Sequence, residues 1–338
     1  MDYVTLGRSG VKVSRVCLGA GVFGRDADEE NCFKLMDRFI ELGGNFIDTA
    51  ELYVHGKSEE IIGRWMKQRG TRDKIVLATK VFGRGGQRSN ASGLSRIYIQ
   101  RAVEASLKRL QTNTIDLYQI HGWDPITPPE ETLQTLNDLI RNGKVNYIGC
   151  SNLAAWQLSK YLRIADRHDL PRFVSLQVVY NALIRSIENE ILPLCQDESL
   201  GVMTFNPLAG GMLTGKYRRG EKIPSGARFD LDRQLTDEAL HITQMYRDRY
   251  LTDEAFDILD RFVEFAKQKG LTPAQLAMAW VLAEPRITCP NLGARNAEQF
   301  EDAARGLDVK LTPEERAAVP AVLPGRWVGK DPIYDRQV

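Results

Sequence analysis

Four residues of this 338-residue chain have types and spacing suited to moving a proton. Asp48 ends the run "NFID", Tyr53 follows five residues later in "DTAELY", Lys80 closes "IVLATK" and His121 closes "DLYQIH". Each has an ordinary structural reading: aspartates cap helices, tyrosines pack, and a histidine can sit satisfied in a core. Lys80 resists that reading. A lysine closing an apolar strand is desolvated and needs a partner, and Asp48 on a neighbouring strand is one. Together the four suit proton transfer to a carbonyl oxygen. A free tyrosine holds its proton until about pH 10, and a nearby ammonium lowers that value by favouring the phenolate. Asp48 would keep Lys80 charged, while His121 would orient a carbonyl or help relay the proton. The expected chemistry is general acid catalysis by Tyr53. No Ser/His/Asp order around a nucleophile elbow and no HExxH-like spacing is present, so neither a covalent hydrolase nor a metal site is expected.

These residues need elements that bring them together. Eight short apolar runs alternate with longer helical patterns: "VSRVCLG", "NFID", "KIVLATK", "IDLYQIHG", "KVNYIGCSN", "FVSLQVVYN", "GVMTFNPL" and "ITCPNLG". Most are rich in β-branched residues and close on a polar residue or glycine, as parallel strands do. Eight strand–helix units predict an α/β fold, a (β/α)8 TIM barrel, whose site lies at the C-terminal strand ends. The hairpin-like "YVTLGRSGVKVS" would cap the bottom of the barrel. A long loop, residues 207 to about 250, follows the seventh strand, and loops of that length are usually functional. Capping boxes are expected at Thr127 with Glu130, Thr272 with Gln275 and Thr312 with Glu315. The glycines of "GAGVFG" spell GxGxxG, with Asp48 at a suggestive distance downstream. In a dinucleotide fingerprint the helix opens inside the motif. Here the helical pattern starts only near Asp28, so the motif reads as a strand end and loop at the barrel mouth.

Composition narrows the class further. A net charge of +1 provides no global field for nucleic acid or an anionic membrane. Cys17, Cys32, Cys150, Cys195 and Cys289 show neither CxxC spacing nor a His/Cys cluster, which points to a reducing, cytoplasmic compartment. No apolar signal region opens the chain and no run is long enough to span a bilayer. The whole of residues 1–338 reads as one domain, and the oligomeric state stays open.

The chain resembles the aldo-keto reductases, (β/α)8 proteins that reduce aldehydes and ketones with NADPH. "NFIDTAELY", "ATK", "QIHG", "GCSN", "SLQVVYN", "FNPLAGGMLTGKY" and "NLGARNAEQFED" carry the resemblance, in the family's order. The nearest branches are the aryl-alcohol dehydrogenases and potassium-channel β-subunits. The resemblance implies Tyr53 as proton donor with Asp48, Lys80 and His121 around it. It implies NADPH (NADP+) as cofactor, its carboxamide held by Ser151, Asn152 and Gln177 and its ring stacked on Phe205. Asn206, Pro207, Leu208, Gly210, Lys216 and Arg228 would line its pyrophosphate. Gly293, Arg295, Gln299 and Asp302 would take the adenosine phosphate, with Arg295 favouring the 2′-phosphate and Asn296 opening a helix. Asp48, Gly21 and Val22 would lie beside the nicotinamide. Phe23, Tyr53, Phe82, His121 and Trp123 would form an aromatic cup around a small carbonyl substrate, with the tail at residues 325–335 adding specificity. Two departures touch the adenine end: Asp302-Ala303 stands where the family often has Glu-Asn, and "CPNLGAR" replaces a more usual "PGA" turn. The alternatives are a cofactor-sensing regulatory subunit like the channel β-subunits, and an alcohol dehydrogenase running the reverse reaction. Such subunits often carry an N-terminal extension, whereas here the hairpin begins almost at once.

Overall fold

The computed structural model describes residues 1–83, 90–233 and 235–319. Its strands are β1 (Tyr3–Thr5), β2 (Lys12–Ser14), β3 (Cys17–Gly19), β4 (Phe46–Asp48), β5 (Val76–Val81), β6 (Ile115–Ile120), β7 (Val145–Ser151), β8 (Ser175–Val179), β9 (Gly201–Phe205) and β10 (Cys289–Leu292). The last eight pair in parallel, each with the next in sequence, and β10 closes the ring onto β3. Every one of the eight apolar runs is thus a barrel strand. The barrel replaces a dinucleotide-binding open sheet, and "GAGVFG" is the end of β3 and the loop beyond it.

The antiparallel β1–β2 hairpin plugs one end. Its Leu6 and Val13 pack with Cys17, Phe46, Ala78, Leu117, Met203 and Cys289, inward-facing residues that fill the barrel below the site. The larger core lies between barrel and helices, where each helix turns an apolar stripe inward. In α1 (Glu29–Glu41) that stripe is Cys32, Leu35, Met36 and Phe39, and Asp28 caps the helix by accepting from the Asn31 amide. Around the ring follow α2 (Lys57–Arg69), α3 (Arg96–Leu110), α4 (Pro129–Arg141), α5 (Ala155–Arg167) and α6 (Ile191–Asp197). Then come α7 (Asp237–Tyr250), α8 (Asp253–Gln268), α9 (Pro273–Leu282), α10 (Ala297–Ala304) and α11 (Pro313–Ala318).

Two local expectations are corrected. The boxes at Thr272/Gln275 and Thr312/Glu315 form, but Thr127/Glu130 does not. There Pro128 takes the cap position and Pro129 opens α4, a first-turn site where a missing N–H costs nothing. The Thr127 hydroxyl instead donates to Asp124 at 2.7 Å. The connection after β9 is also not all loop. From residue 237 it is helical, as α7, with the Thr236 hydroxyl accepting from the Ala239 amide.

Candidate active site

Strand register sets out the polar cluster. Asp48 is the last residue of β4, Lys80 stands near the end of β5, and His121 continues the β6 ladder by donating its amide to Val81. Inward-facing positions on neighbouring strands therefore converge at one end of the barrel. Tyr53 arrives differently. It opens a tight turn in which Val54 (φ 51°) and His55 (φ 55°) are both left-handed, an uncommon conformation and a costly one for a β-branched residue. Gly56 ends the turn at φ 87°, where a side chain would meet Arg109 Cδ at 2.7 Å. Arg109 is fixed there by a 2.6 Å bond to the buried Glu59, which also accepts from Thr79, next to Lys80. The turn that presents Tyr53 is thus clamped to the strand that carries Lys80.

Lys80 spends all three donors: on Asp48 Oδ2 at 2.5 Å, on the Thr49 carbonyl at 3.0 Å and on the Tyr53 hydroxyl at 3.3 Å. Both Asp48 and Lys80 are fully buried. The Tyr53 and His121 rings meet edge to face, centroids 5.8 Å apart. Burial disfavours the Lys80 ammonium, yet Asp48, with Tyr53 adding, holds it above its ordinary value, so it stays charged. Tyr53 departs from the sequence expectation. Burial is the largest influence on the phenol and raises it; Lys80 opposes, Asp48 adds to burial, and the net direction is upward. The ammonium does favour the phenolate, but desolvation outweighs it.

A cavity of about 740 Å³ opens from this cluster. Its wall includes every residue assigned to the cofactor: Gly21, Val22, Asp48, Ser151, Asn152, Gln177, Phe205, Asn206, Pro207, Leu208, Gly210, Lys216, Arg228, Gly293, Arg295, Gln299 and Asp302. Near Lys80 and Tyr53, Asn152 donates to the His121 carbonyl at 3.0 Å, Ser151 to the Gln177 carbonyl at 2.9 Å, and Gln177 to Asp48 at 3.2 Å. At the far end Asp302 accepts from Gln275 at 2.8 Å, and Asn296 caps α10 through the Gln299 amide. Lys216, Arg228 and Arg295 converge there. Desolvation, then the Arg295 and Arg228 guanidiniums, push Lys216 down to about 8. Arg295 is lowered too, by desolvation first. Asp26 on the same wall acts against that lowering, and Arg295 donates to the Gly226 carbonyl at 2.7 Å.

The aromatic cup is only partly realised. Tyr53 and His121 line the cavity; Phe23, Phe82 and Trp123 are not part of the wall. Phe23 is fully buried in the core, Phe82 packs against it, and Trp123 stacks edge-on to Trp156 and Tyr161. The apolar wall comes instead from Leu52 and Val54 and from α7, through Ala239, Ile242, Met245 and Tyr246. Tyr246 lies under the Arg228 guanidinium, 4.3 Å from its ring centre. Helical spacing at 239, 242, 245 and 246 was the available signal for that wall. The cavity residues Asn291 and Arg249 were likewise not foreseen. The tail at 325–335 lies outside the described residues.

Fold and site together are those of a (β/α)8 barrel whose acid–base cluster faces a cation-lined cavity. The profile of the Aldo/keto reductase family matches residues 15–323, and the chain belongs to that family. It is 38% identical to the uncharacterized oxidoreductase YrpG of Bacillus subtilis, over 96% of this chain and 97% of that one. It is 36% identical to the versiconal hemiacetal acetate reductase of Aspergillus parasiticus, over 93% and 95% of the two chains. A probable voltage-gated potassium channel subunit beta of Oryza sativa is also 36% identical, over 96% and 97%. No described helix is long and apolar enough to cross a membrane.

Proposed function

We propose that this protein is an NADPH-dependent reductase of aldehydes or ketones in which Tyr53 gives the proton. One observation carries the reading. A buried ammonium, locked by Asp48, donates to the Tyr53 hydroxyl at 3.3 Å on the wall of a cavity that gathers three cations further along.

The donor set fits a dinucleotide phosphate. Lys216, Arg228 and Arg295 repel one another where they stand, and phosphate oxygens relieve that repulsion. In this reading Asn206, Pro207, Leu208 and Gly210 flank the pyrophosphate, while Gly293, Arg295, Gln299 and Asp302 take the adenosine phosphate. Ser151, Asn152 and Gln177 hold the carboxamide, Phe205 supports the ring, and Gly21 and Val22 close the nicotinamide end. When bound, the reduced nicotinamide supplies a hydride to the carbonyl carbon. Tyr53 donates its proton to the carbonyl oxygen as charge develops there. Lys80 stabilises the phenolate left behind, Asp48 keeps the ammonium charged, and His121 orients the oxygen. A phenol held above its ordinary range stays protonated at neutral pH.

We read residues 1–338 as one domain acting in the cytoplasm on a small carbonyl compound, in keeping with five buried, unpaired cysteines. The names of the fungal relatives, a versiconal hemiacetal acetate reductase and norsolorinic acid reductase B, are in keeping with a reductive role.

The test is Tyr53→Phe. Turnover on a panel of aromatic and aliphatic carbonyls should fall by roughly 10²–10⁴, while NADPH fluorescence still reports binding. Unchanged turnover in the variant overturns the mechanism. Cofactor binding without turnover on any carbonyl, in the parent protein, would favour a regulatory subunit.

A further inference from the structure

Asp48 is held from a direction that the proton-transfer chemistry does not use. Its carboxylate accepts four side-chain hydrogen bonds. Oδ1 takes Gln119 at 2.9 Å and Gln177 at 3.2 Å; Oδ2 takes Lys80 at 2.5 Å and Asn291 Nδ2 at 2.7 Å. Gln119 and Gln177 come from β6 and β8. Asn291 comes from β10, and β3 lies between β10 and β4 in the barrel. The Asn291 amide therefore reaches Asp48 across an intervening strand. It can do so because β3 has no side chain there: a Cβ on Gly19 would stand 2.2 Å from Asn291 Oδ1. Asn291 is 7% exposed and forms part of the cavity wall.

We propose that Asn291, passing through the gap left by Gly19, is a positioning residue for proton donation: it fixes the Asp48 carboxylate and shares its charge, so that Lys80 stays seated between Asp48 and Tyr53. The inference rests on Tyr53 being the proton donor. A carboxylate with donors on both oxygens cannot rotate without breaking bonds, and each donor draws off part of its field. Asp48 raises both Lys80 and Tyr53. Removing the Asn291 amide leaves more of that field acting on both. The other titratable groups around the cluster are Cys17 from β3, Cys289 from β10, His121 after β6 and Tyr246 from α7. Asp48 raises Cys17 and Cys289 as well, so a stronger Asp48 field moves both thiols upward, in the same direction as Lys80 and Tyr53.

Asn291→Leu, nearly isosteric and unable to donate, should lower kcat about tenfold and leave KM for NADPH unchanged. It should also move the alkaline limb of kcat up by about half a pH unit or more. A merely structural role changes stability and does not move that limb. Gly19→Ala should reproduce the shift by displacing the amide, and in an Asn291→Ala background it should add nothing further. Asn291→Asp keeps the shape and guards against misfolding of the leucine variant. Two carboxylates in contact share a proton, so its profile should gain one ionisation that the parent lacks. An unshifted limb in Asn291→Leu, additive effects in the Gly19 pair, or no new ionisation in Asn291→Asp overturns the proposal. These outcomes bear on Asn291 alone if Tyr53→Phe is inactive; an active Tyr53→Phe removes the underlying mechanism instead.

Discussion

The two ends of the cavity treat positive charge in opposite ways. At the barrel end Lys80 is buried with every donor spent, and its partner Asp48 is saturated by three amides besides. At the far end Lys216, Arg228 and Arg295 act on one another, and desolvation outweighs the help that Asp26 gives Arg295. The first region is electrically closed, and the folded chain alone completes it. The second is more open: Asp26 on the same wall and the Gly226 carbonyl offset Arg295 in part, and an added anion would offset the rest. One lesson is that a buried cation is informative through its partners rather than its burial: a satisfied one belongs to a preorganised machine, an unsatisfied one to a receptor.

The contrast is broken most severely at Lys80. Lys80→Met strands the Asp48 charge in the core at a cost of about 3–5 kcal/mol, softened toward the lower figure by the three amides. The melting temperature should fall on the order of 10 °C and turnover should vanish. Lys216→Met, removing a lysine from the open end, should leave the melting temperature of the free protein unchanged or raise it. Equal destabilisation by the two variants, in thermal unfolding without cofactor, contradicts the distinction.

A smaller effect sharpens the picture at the adenosine end. Arg295→Leu should weaken NADPH binding by roughly 10–100-fold, the scale of one lost charge-assisted pair, with little change for NADH. Titration of both cofactors by fluorescence measures the ratio, and equal losses exclude a 2′-phosphate contact.

The smallest effect is a proton. Lys216 sits at about 8 in the free protein, and a bound anion draws it back toward the ordinary lysine range. Between those values binding takes up a proton; well below 8 the lysine is already charged and none is taken up. Calorimetry at pH 9 and pH 6.5, in buffers of different ionisation heat, should show uptake only at the higher pH. The two lysines also affect stability with opposite signs. Lys80 is raised in the fold, so its contribution is present below the usual lysine value of 10.5 and is lost as pH climbs through its higher folded value. Lys216 is lowered, so the unfolded chain binds more protons between about 8 and 10.5, and on its account stability rises across that window.

Most of this architecture is legible in the sequence because it is local. Parallel strands announce themselves as apolar runs, and their polar last residues become the site, as Asp48, Lys80 and His121 show. The cavity residues in "GCSN", "SLQ" and "NLGAR" came instead from the resemblance to the family, and they too lie at or just beyond strand ends. What was not legible depends on distant groups. α7 turns Ile242, Met245 and Tyr246 to a cavity and carries Arg249 among them, so it lacks a clean apolar face. Phe23 looks like a rim aromatic by position but is buried by the helices packed over it. The upward direction of Tyr53 comes from desolvation by the whole barrel, which no spacing encodes. The Asn291–Asp48 bond joins residues 243 positions apart through a gap in a third strand.

That last bond ties chemistry to biosynthesis. Strand β10 is the last of the described strands to be made, and it both seals the ring against β3 and supplies an anchor for Asp48. Arg15 likewise grips the Ile287 and Thr288 carbonyls just before β10. A chain growing from its N-terminus thus holds Tyr53, Lys80 and His121 long before the last support emerges. Ring closure and the last brace on Asp48 arrive together, so a nascent or truncated product lacking β10 carries Tyr53, Lys80 and His121 without that brace.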